Sequence, residues 1–217
     1  MESKFTISEV LSASWAALKS QIWILVGLFI GYMILSFVFG LLLSPAMTSI
    51  ALSLIANLIF YVIAIVFTLG YTKNLFQTLD GEEPQFSAYG QQARKIGTYF
   101  VAGLLYCILV FIGTLLLIIP GIYIALRLQF FVQLIVEEDA GIIESLQKSW
   151  NITKGQALPL FLLALVMMGI CIVGFILLGV GIFVAAPLIS LMCCCVFRKL
   201  NSPLNSLEEE TETDVKE

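Results

Sequence analysis

One uncharged stretch decides the fold of this chain. Residues 20–72 read SQIWILVGLFIGYMILSFVFGLLLSPAMTSIALSLIANLIFYVIAIVFTLGYT, with no Asp, Glu, Lys, Arg or His between Lys19 and Lys73. A helix needs about 20 consecutive apolar residues to cross the hydrocarbon core of a bilayer, so this stretch is long enough for two helices joined by a tight turn. It therefore predicts a transmembrane hairpin.

Two more stretches repeat the pattern farther along the chain. Residues 155–197 carry no charge, and residues 96–136 carry a single one, on Arg127. The predicted fold is all-α: a polytopic integral membrane bundle of six transmembrane helices in three hairpins. A soluble globular domain is excluded, because 60% of the residues are hydrophobic and 12% are charged, a composition that would expose a large apolar surface to water. The hairpins are expected at about 21–71, 97–136 and 157–197.

The distribution of positive charge predicts the orientation of the bundle. The three expected turns, at Ser44-Pro45, Pro120-Gly121 and Gly179-Val180-Gly181, are uncharged. By the positive-inside rule, the opposite side, which holds both termini, is the cytoplasmic one. That side carries every lysine and arginine except Arg127: Lys4, Lys19, Lys73, Arg94, Lys95, Lys148, Lys154, Arg198, Lys199 and Lys216.

The segment before the first hairpin recurs before the third. Thr6 followed by Glu9 fits a capping box that would start a helix at Ile7. A poorer match at Phe86, before the second hairpin, extends the pattern to a threefold repeat. An offset of 135 positions pairs Glu9 with Glu144, Leu11 with Leu146, Ser14 with Ser149, Trp15 with Trp150, Lys19 with Lys154 and Gln21 with Gln156.

These segments predict short amphipathic helices that lie along the membrane interface. Tryptophan prefers the level of the lipid headgroups and lysine reaches toward the phosphates, so both residue types anchor such a helix. Each helix either orients the span that follows it or contacts a lipid headgroup or a partner. The helices are expected at about 7–20, 86–95 and 141–154, with anchors at Trp15, Lys19, Trp150 and Lys154.

Acidic residues follow the second and fourth spans and dominate the C-terminus. Glu82-Glu83 and Glu137-Glu138-Asp139 are interpreted as solvated charges at membrane exits, where they favour the start of the next helix. Residues 201–217, with six acids from Glu208 onward, predict a disordered acidic cytoplasmic tail.

Arg127 is a permanent charge inside the fourth span. Its cost near the middle of a bilayer is at least about 2.5 kcal/mol, so it is expected to face protein, water or an anion. In a structural interpretation it snorkels to the outer boundary, or donates to helix carbonyls and to Gln129, Asn57 or Thr114. In a functional one, Arg127, Gln129 and Gln133 line a cavity that binds a phosphate-bearing lipid headgroup. A subunit contact is a third possibility.

A GxxxG pattern lies in the first span, at Gly27 and Gly31. Two glycines on one helix face let a second helix approach closely. Packing inside the six-helix bundle is the favoured interpretation, and homodimerisation is the alternative.

One block of sequence resembles a known family. Residues 119–127 read IPGIYIALR, and the block continues through Val136-Glu137-Glu138 and residues 144–155, ESLQKSWNITKG. The IPG motif, the arginine and the S-W-x-x-T-K-G end resemble the bacterial membrane domain found fused to glycerophosphodiester phosphodiesterases and its stand-alone six-span relatives. The catalytic phosphodiesterase domain of that family has no counterpart here. The resemblance therefore implies a bacterial inner membrane and proximity to lipid, and not hydrolysis.

These features favour a non-enzymatic membrane protein. Without histidine or an acid inside a span, no general-base pair is expected, and no metal or cofactor either. The leading hypothesis is a lipid-interacting or accessory scaffold protein. The alternative is a transporter or lipid translocase with Arg127 as its anion site. Expected partners are membrane lipids and a cytoplasmic-side or membrane protein, not nucleic acid; the ligand and the oligomeric state stay open.

Overall fold

The computed structural model describes residues 4–43, 50–176 and 181–214, with side chains for 4–41, 51–176 and 181–202. The described residues form helices and no strand, which confirms the all-α class. A 3₁₀ turn, Ala93–Lys95, joins α4 to α5. The helices are α1 Ile7–Ser20, α2 Ile22–Leu43, α3 Ile50–Leu79, α4 Ser87–Gln92, α5 Ile96–Leu116, α6 Ile118–Leu128, α7 Phe131–Glu138, α8 Ile142–Ile152, α9 Ala157–Ile176 and α10 Ile182–Asp214.

Six segments are long and apolar enough to cross a membrane, as the uncharged stretches predict. Their outer faces carry rows of large exposed apolar side chains, which suit contact with lipid rather than water. The chain therefore has the build of a multi-pass membrane protein. The six segments are Ile22–Leu41, Ala51–Leu79, Ser87–Leu116, Ile118–Glu138, Ala157–Ile176 and Ile182–Ser202.

The bundle consists of three similar units, each a short helix followed by a hairpin. The short helix of one unit packs against the second hairpin helix of the unit before it: α4 against α3, and α8 against α6 and α7. The helix α1, which opens the first unit, packs against α10, which ends the last. The three units therefore close into a ring, and the recurrence in sequence corresponds to a recurrence in packing.

The short helices form close to where the sequence predicts them. Helix α1 begins at Ile7, and the side chains of Thr6 and Glu9 meet at 3.4 Å. At the start of α8, the Glu144 carboxylate accepts the Gly141 N–H at 3.1 Å, which is one half of a capping box. Ser14 and Ser149, equivalent in the repeat, are both fully buried. Matching positions therefore face the core in both helices.

Two helix boundaries differ from the prediction. Helix α3 was expected to end near Tyr71 but continues to Leu79, because Leu75 and Phe76 carry its buried face further into the core. It ends ahead of Gly81, whose φ of +79° favours glycine.

The turn of the second hairpin was expected at Pro120-Gly121 and lies instead at Leu117, which has extended backbone. Pro120 occupies the first turn of α6, where a missing N–H leaves no helical hydrogen bond unmade. Of the other expected turns, Ser44-Pro45 and residues 179–180 lie outside the described residues, and Gly181 is in a turn.

The disorder predicted for the acidic tail, residues 201–217, stays a prediction, although the bounds of helix α10 include residues up to Asp214. Helix α10 continues from the last span through Glu208 to that residue.

Close glycine contacts hold the second and third hairpins together. A Cβ atom on Gly121 would lie 2.8 Å from the backbone of Thr114, and one on Gly113 would lie 3.1 Å from the Cα of Gly121. In the third hairpin, a Cβ on Gly181 would lie 2.8 Å from the Cα of Gly174. At Gly121 and Gly181 only glycine fits, because the obstructing atoms belong to backbone, whereas a Cβ at Gly113 would require its neighbours to shift slightly.

We expect Gly121→Ala to lower the stability of the bundle. The added methyl group must push α5 away from α6, and overpacking of this kind costs about 1–3 kcal/mol. Unfolding by SDS titration in mixed micelles measures the change. Gly103→Ala, on α5 of the same hairpin, is the matched control, since a Cβ there would be 4.0 Å from its nearest neighbour, Phe131. Equal stability of the two variants would contradict the close-contact role of Gly121.

Candidate functional site

The guanidinium of Arg127 is buried in protein at the end of α6. Its Nε donates to the Thr153 hydroxyl at 2.9 Å, and one terminal nitrogen donates to the Tyr123 hydroxyl at 2.8 Å. The other terminal nitrogen donates to the backbone carbonyl of Trp150. The cation lies 4.2 Å from the centre of the Trp150 ring, a cation–π contact. Arg127 therefore ties α6 to the end of α8.

The same region contains a break in the fourth span. The helix stops at Leu128 and restarts at Phe131, which frees backbone groups that a continuous helix would pair. The Ser149 hydroxyl donates to the Arg127 carbonyl at 2.9 Å and accepts the Phe130 N–H at 3.2 Å. The Thr153 hydroxyl lies 3.0 Å from the same carbonyl. Helix α8 thus supplies partners that the interrupted helix has lost.

Of the predicted partners of Arg127, a helix carbonyl is observed, that of Trp150, whereas the predicted side-chain partners are not. The side chain of Asn57 donates to the Ser53 carbonyl, and Thr114 donates to the Val110 carbonyl, each within its own helix. In the part of the chain that the structure describes, no hydrogen bond joins Arg127 to Gln129 or Gln133. The carboxamide oxygen of Gln133 is buried without a partner among the described residues.

These contacts favour the structural interpretation of Arg127 in a modified form. The guanidinium donates to Thr153, Tyr123 and Trp150. Binding of a lipid headgroup by Arg127, Gln129 and Gln133 stays a prediction. The sequence held a signal for Thr153 and for Ser149, whose hydroxyl donates to the backbone carbonyl of Arg127. Ser149 and Thr153 are four positions apart on one helix face of the S-W-x-x-T-K-G block, an arrangement that suits two hydroxyls aimed at one target.

The expected interfacial anchors are partly exposed and engage cations differently. Trp15 and Trp150 are exposed by 40% and 38%, in keeping with their equivalence in the repeat. The ammonium of Lys19 lies 5.5 Å from the centre of the Trp15 ring, whereas the cation over the Trp150 ring is the guanidinium of Arg127. Lys154, the repeat partner of Lys19, is exposed.

A first apolar groove of about 750 Å³ lies between α2, α3 and α4. Gly27 and Gly31 line it, and a Cβ atom on either would meet nothing within 4 Å. The favoured interpretation of the GxxxG pattern, packing inside the bundle, is therefore wrong. Because the two glycines carry no side chains, they leave space that forms part of the groove, and no helix within the described residues packs closely against them. Aromatic side chains stand along it: Trp23, Tyr32, Phe67, Phe86 and Tyr89.

A second apolar groove of about 720 Å³ lies between α5, α6 and α8. Leu109 of α5 and Ile124 of α6 line it, and Trp150 and Asn151 lie where α8 reaches it. Each groove is therefore formed by one hairpin together with the short helix of the next unit. The two occupy equivalent places in the ring.

An ion-pair hub lies at the end of α7, where Glu137, Glu138 and Asp139 follow one another. The Glu137 carboxylate pairs with Lys73 of α3 at 3.4 Å and with Arg198 of α10 at 3.2 Å. Arg198 also pairs with Asp80, beyond the end of α3. These acids were predicted to be solvated charges, and that is wrong for Glu137, which joins two other units of the bundle.

The two remaining acids of the hub hold further elements. Glu138 pairs with Lys148 of α8 at 3.2 Å and accepts the side-chain N–H of Asn201 of α10. Asp139 pairs with Arg94 at 2.9 Å and with Lys95 at 2.6 Å. In contrast, Glu82 and Glu83 are exposed, as predicted.

Lys95 makes a cap for α7. Its ammonium donates to the carbonyls of Ile135 at 2.8 Å and Val136 at 3.0 Å, in addition to its pairing with Asp139. A cation at the C-terminus of a helix also opposes the negative end of the helix dipole. The hydrogen bond from Lys95, together with Arg94, lowers the pKa of the Asp139 carboxyl below its usual value. The hydrogen bonds from Arg198 lower the pKa of Asp80 in the same way.

The chain belongs to a family described as "Domain of unknown function (DUF7847)", whose model matches residues 86–208. Two uncharacterised proteins, from Mycobacterium bovis and Mycobacterium tuberculosis, are each 32% identical over 108 residues. The aligned part is 50% of this chain and 33% of either relative, so the chain spans about a third of their length. No solved structure matches. These matches place the chain in an uncharacterised family, and none of them supports the predicted relation to domains fused to glycerophosphodiester phosphodiesterases.

We expect Arg127→Lys to destabilise the bundle by about 2–3 kcal/mol, because lysine cannot reproduce the planar fork that reaches three partners at once. Unfolding by SDS titration measures the loss. Arg94→Lys, a conservative change at an exposed arginine, is the control and is expected to change stability by at most about 0.5 kcal/mol. A folded Arg127→Gln protein with unchanged stability but with its bound anionic lipid lost would instead favour the anion-site hypothesis.

We expect the hub to weaken in acid. A carboxyl whose pKa is lower in the folded state contributes stability that is complete above its unfolded value, about 3.9 for Asp. This contribution is lost as the pH falls through the folded value. Asp139→Asn should therefore be less stable than the parent at pH 7, and the difference should shrink as the pH is lowered to about 3. Thermal unfolding across this range measures it.

Glu83→Gln serves as the control for that experiment. Glu83 is an exposed acid, and no ion pair is formed by it within the described ranges. Its substitution should leave the pH dependence of stability unchanged. A difference between parent and Asp139→Asn that stays constant from pH 7 to pH 3 would contradict the assignment.

Proposed function

We propose that this chain is a non-enzymatic, lipid-interacting protein of the membrane, whose apolar grooves hold the acyl chains of lipids. The observation that carries the proposal is the repeated groove: two units present the same kind of space, formed by one hairpin and the next short helix. A single groove is a common accident of helix packing. Recurrence at equivalent positions indicates that the ring of units builds the groove.

The chemistry of the first groove suits a lipid chain. Its lining combines aliphatic side chains with bare glycine surface, so an apolar chain would gain contact without displacing buried polar groups. Trp23 and Phe86 are among the most exposed aromatic side chains of the molecule, at 88% and 81%. Both line this groove, and aromatic side chains are enriched at the level where acyl chains meet headgroups.

The orientation expected from the charges supports the same proposal. The cations of the hub gather at the end of the bundle where the short helices lie, which we assign to the cytoplasmic face of a bacterial inner membrane, with both termini on that face. Trp15, Lys19, Trp150 and Lys154 would then anchor this end at the headgroups. An accessory or scaffold role, in which groove-bound lipid mediates contact with another membrane protein, fits the same geometry.

The resemblance to membrane domains fused to glycerophosphodiester phosphodiesterases stays a prediction. It adds weight to an association with phospholipid, but it supplies no residue that would hydrolyse one. The block that carries it forms the contacts of Arg127 with Tyr123, Trp150 and Thr153, which we call the Arg127 clamp, and it forms part of the hub. In this chain both join elements to each other.

Filling the first groove tests the proposal. Gly27→Leu combined with Gly31→Leu projects two isobutyl groups into space that is open within the chain, so the fold should be kept and groove-bound lipid displaced. Native mass spectrometry of protein released from lipid nanodiscs counts the lipids retained by parent and variant. We expect the variant to retain less lipid.

Gly40→Leu, also on α2, is the matched control. A Cβ at Gly40 meets nothing within 4 Å, and Gly40 is not among the lining residues of the first groove. This variant should retain lipid like the parent. Equal lipid counts for all three proteins, each shown to be folded by circular dichroism, would refute the binding of lipid in this groove.

A further inference from the structure

A polar cleft of about 470 Å³ lies beside the ion-pair hub, at the junction of α3, α4 and α7. Its character differs from that of the two apolar grooves, since almost every lining side chain is charged or carries an amide. The lining residues are Lys73, Gln91, Gln92, Arg94, Lys95, Val136, Glu137 and Asp139.

The hydrogen-bonding capacity of the cleft is not used up inside the protein. Lys95 is saturated, because its three ammonium protons face the carbonyls of Ile135 and Val136 and the Asp139 carboxylate. Lys73 and Arg94 each have one acidic partner among the described residues, Glu137 and Asp139 respectively. An ammonium offers three donors and a guanidinium five, so both cations keep donors available.

The acids of the cleft are already neutralised by other cations. Glu137 keeps Arg198 as a partner if Lys73 turns to a ligand, and Asp139 keeps Lys95 if Arg94 does. A bound anion would therefore meet two available cations without leaving an unpaired carboxylate beside it. This arrangement favours an anion over a metal cation in the cleft.

One further group indicates what the anion must carry. Gln92 is 6% exposed, and its carboxamide oxygen has no hydrogen-bond partner among the described residues. A buried acceptor without a partner is unfavourable, so a ligand that donates a hydrogen bond to it is favoured. The ligand should therefore combine an anionic group with a hydroxyl or ammonium donor.

We propose that the polar cleft binds a phosphate group that carries a hydrogen-bond donor, with Arg94 and Lys73 on the phosphate oxygens and Gln92 accepting from the donor. The arginine fork matches phosphate geometry, and lysine adds a mobile point charge. This chemistry is shared by a free phosphate and by the headgroup of a phospholipid such as phosphatidylglycerol. The proposal goes beyond acyl-chain binding in the grooves and does not depend on it.

Two arms of one experiment separate the sources. In the first, inorganic phosphate is titrated calorimetrically into lipid-free protein in detergent at constant ionic strength. In the second, nanodiscs of phosphatidylglycerol in phosphatidylcholine supply the headgroup, and native mass spectrometry counts the phosphatidylglycerol retained. Phosphatidylcholine has a phosphate but no donor, so it provides the reference.

The double variant Lys73→Gln with Arg94→Gln removes the available cations and keeps both acids paired. We expect it to weaken binding of the probe by at least about tenfold in one of the two arms. Gln92→Leu should weaken the same binding several-fold. The control is Lys148→Gln with Lys199→Gln, which removes the same charge from the same end of the bundle without touching the cleft.

The outcomes are distinct. Phosphate binding that only the cleft variants lose supports a soluble ligand, and phosphatidylglycerol retention that only they lose supports a lipid headgroup. No binding in either arm, or equal losses in the cleft and control variants, overturns the proposal. Loss in the double variant but not in Gln92→Leu overturns the donor requirement. A failure of the grooves to hold lipid leaves each of these results unchanged.

Discussion

The position of one permanent charge constrains much of this structure. Arg127 cannot shed its proton, and inside an apolar helix its charge must be matched by the protein. The matching groups come from α8, which begins the next unit, and from Tyr123 on the same helix. Satisfying this charge therefore fixes where the third unit sits against the second. The break between α6 and α7 lies at the same contact and is supported by the hydroxyls of Ser149 and Thr153.

At the edge of the bundle, the charges of the ion-pair hub at the end of α7 are likewise matched by groups from other elements. Three consecutive acids reach α3, the 3₁₀ turn before α5, α8 and α10, so all three units meet there. Single exposed ion pairs contribute little to stability, but this set is a network with partly buried members and includes the helix cap formed by Lys95. The clamp determines how two neighbouring units pack, and the hub connects the ends of all three.

The sequence predicts the number of spans, the three hairpins and the short helices, because each depends on local composition. Uncharged stretches must be buried in lipid, and the repeat at an offset of 135 marks equivalent elements. The partners of Arg127 are harder to predict from the sequence, since Thr153 lies 26 positions away and its proximity depends on how α8 packs. The pairing of Glu137 is hidden for the same reason. A run of acids beside a membrane exit is typical of solvated charge, and its partner Arg198 lies 61 positions later in the sequence. The end of α3 was set too early because charge marks where a span leaves the lipid and not where a helix stops.

The short helix α4 lines both the first groove and the polar cleft, so it connects an apolar space with a polar one. Tyr89 lines the groove, and Gln92, one turn later on α4, lines the cleft. The helix has six residues and rests on α3 where Tyr89 packs over Gly70, at a distance that leaves no room for a Cβ. An element so short cannot be stable alone, so its position follows from this contact and from the 3₁₀ turn anchored by Lys95. The contact of Tyr89 with Gly70 therefore positions the helix that lines both the groove and the cleft. Neighbouring apolar and polar surfaces of this kind match the apolar and polar ends of a phospholipid.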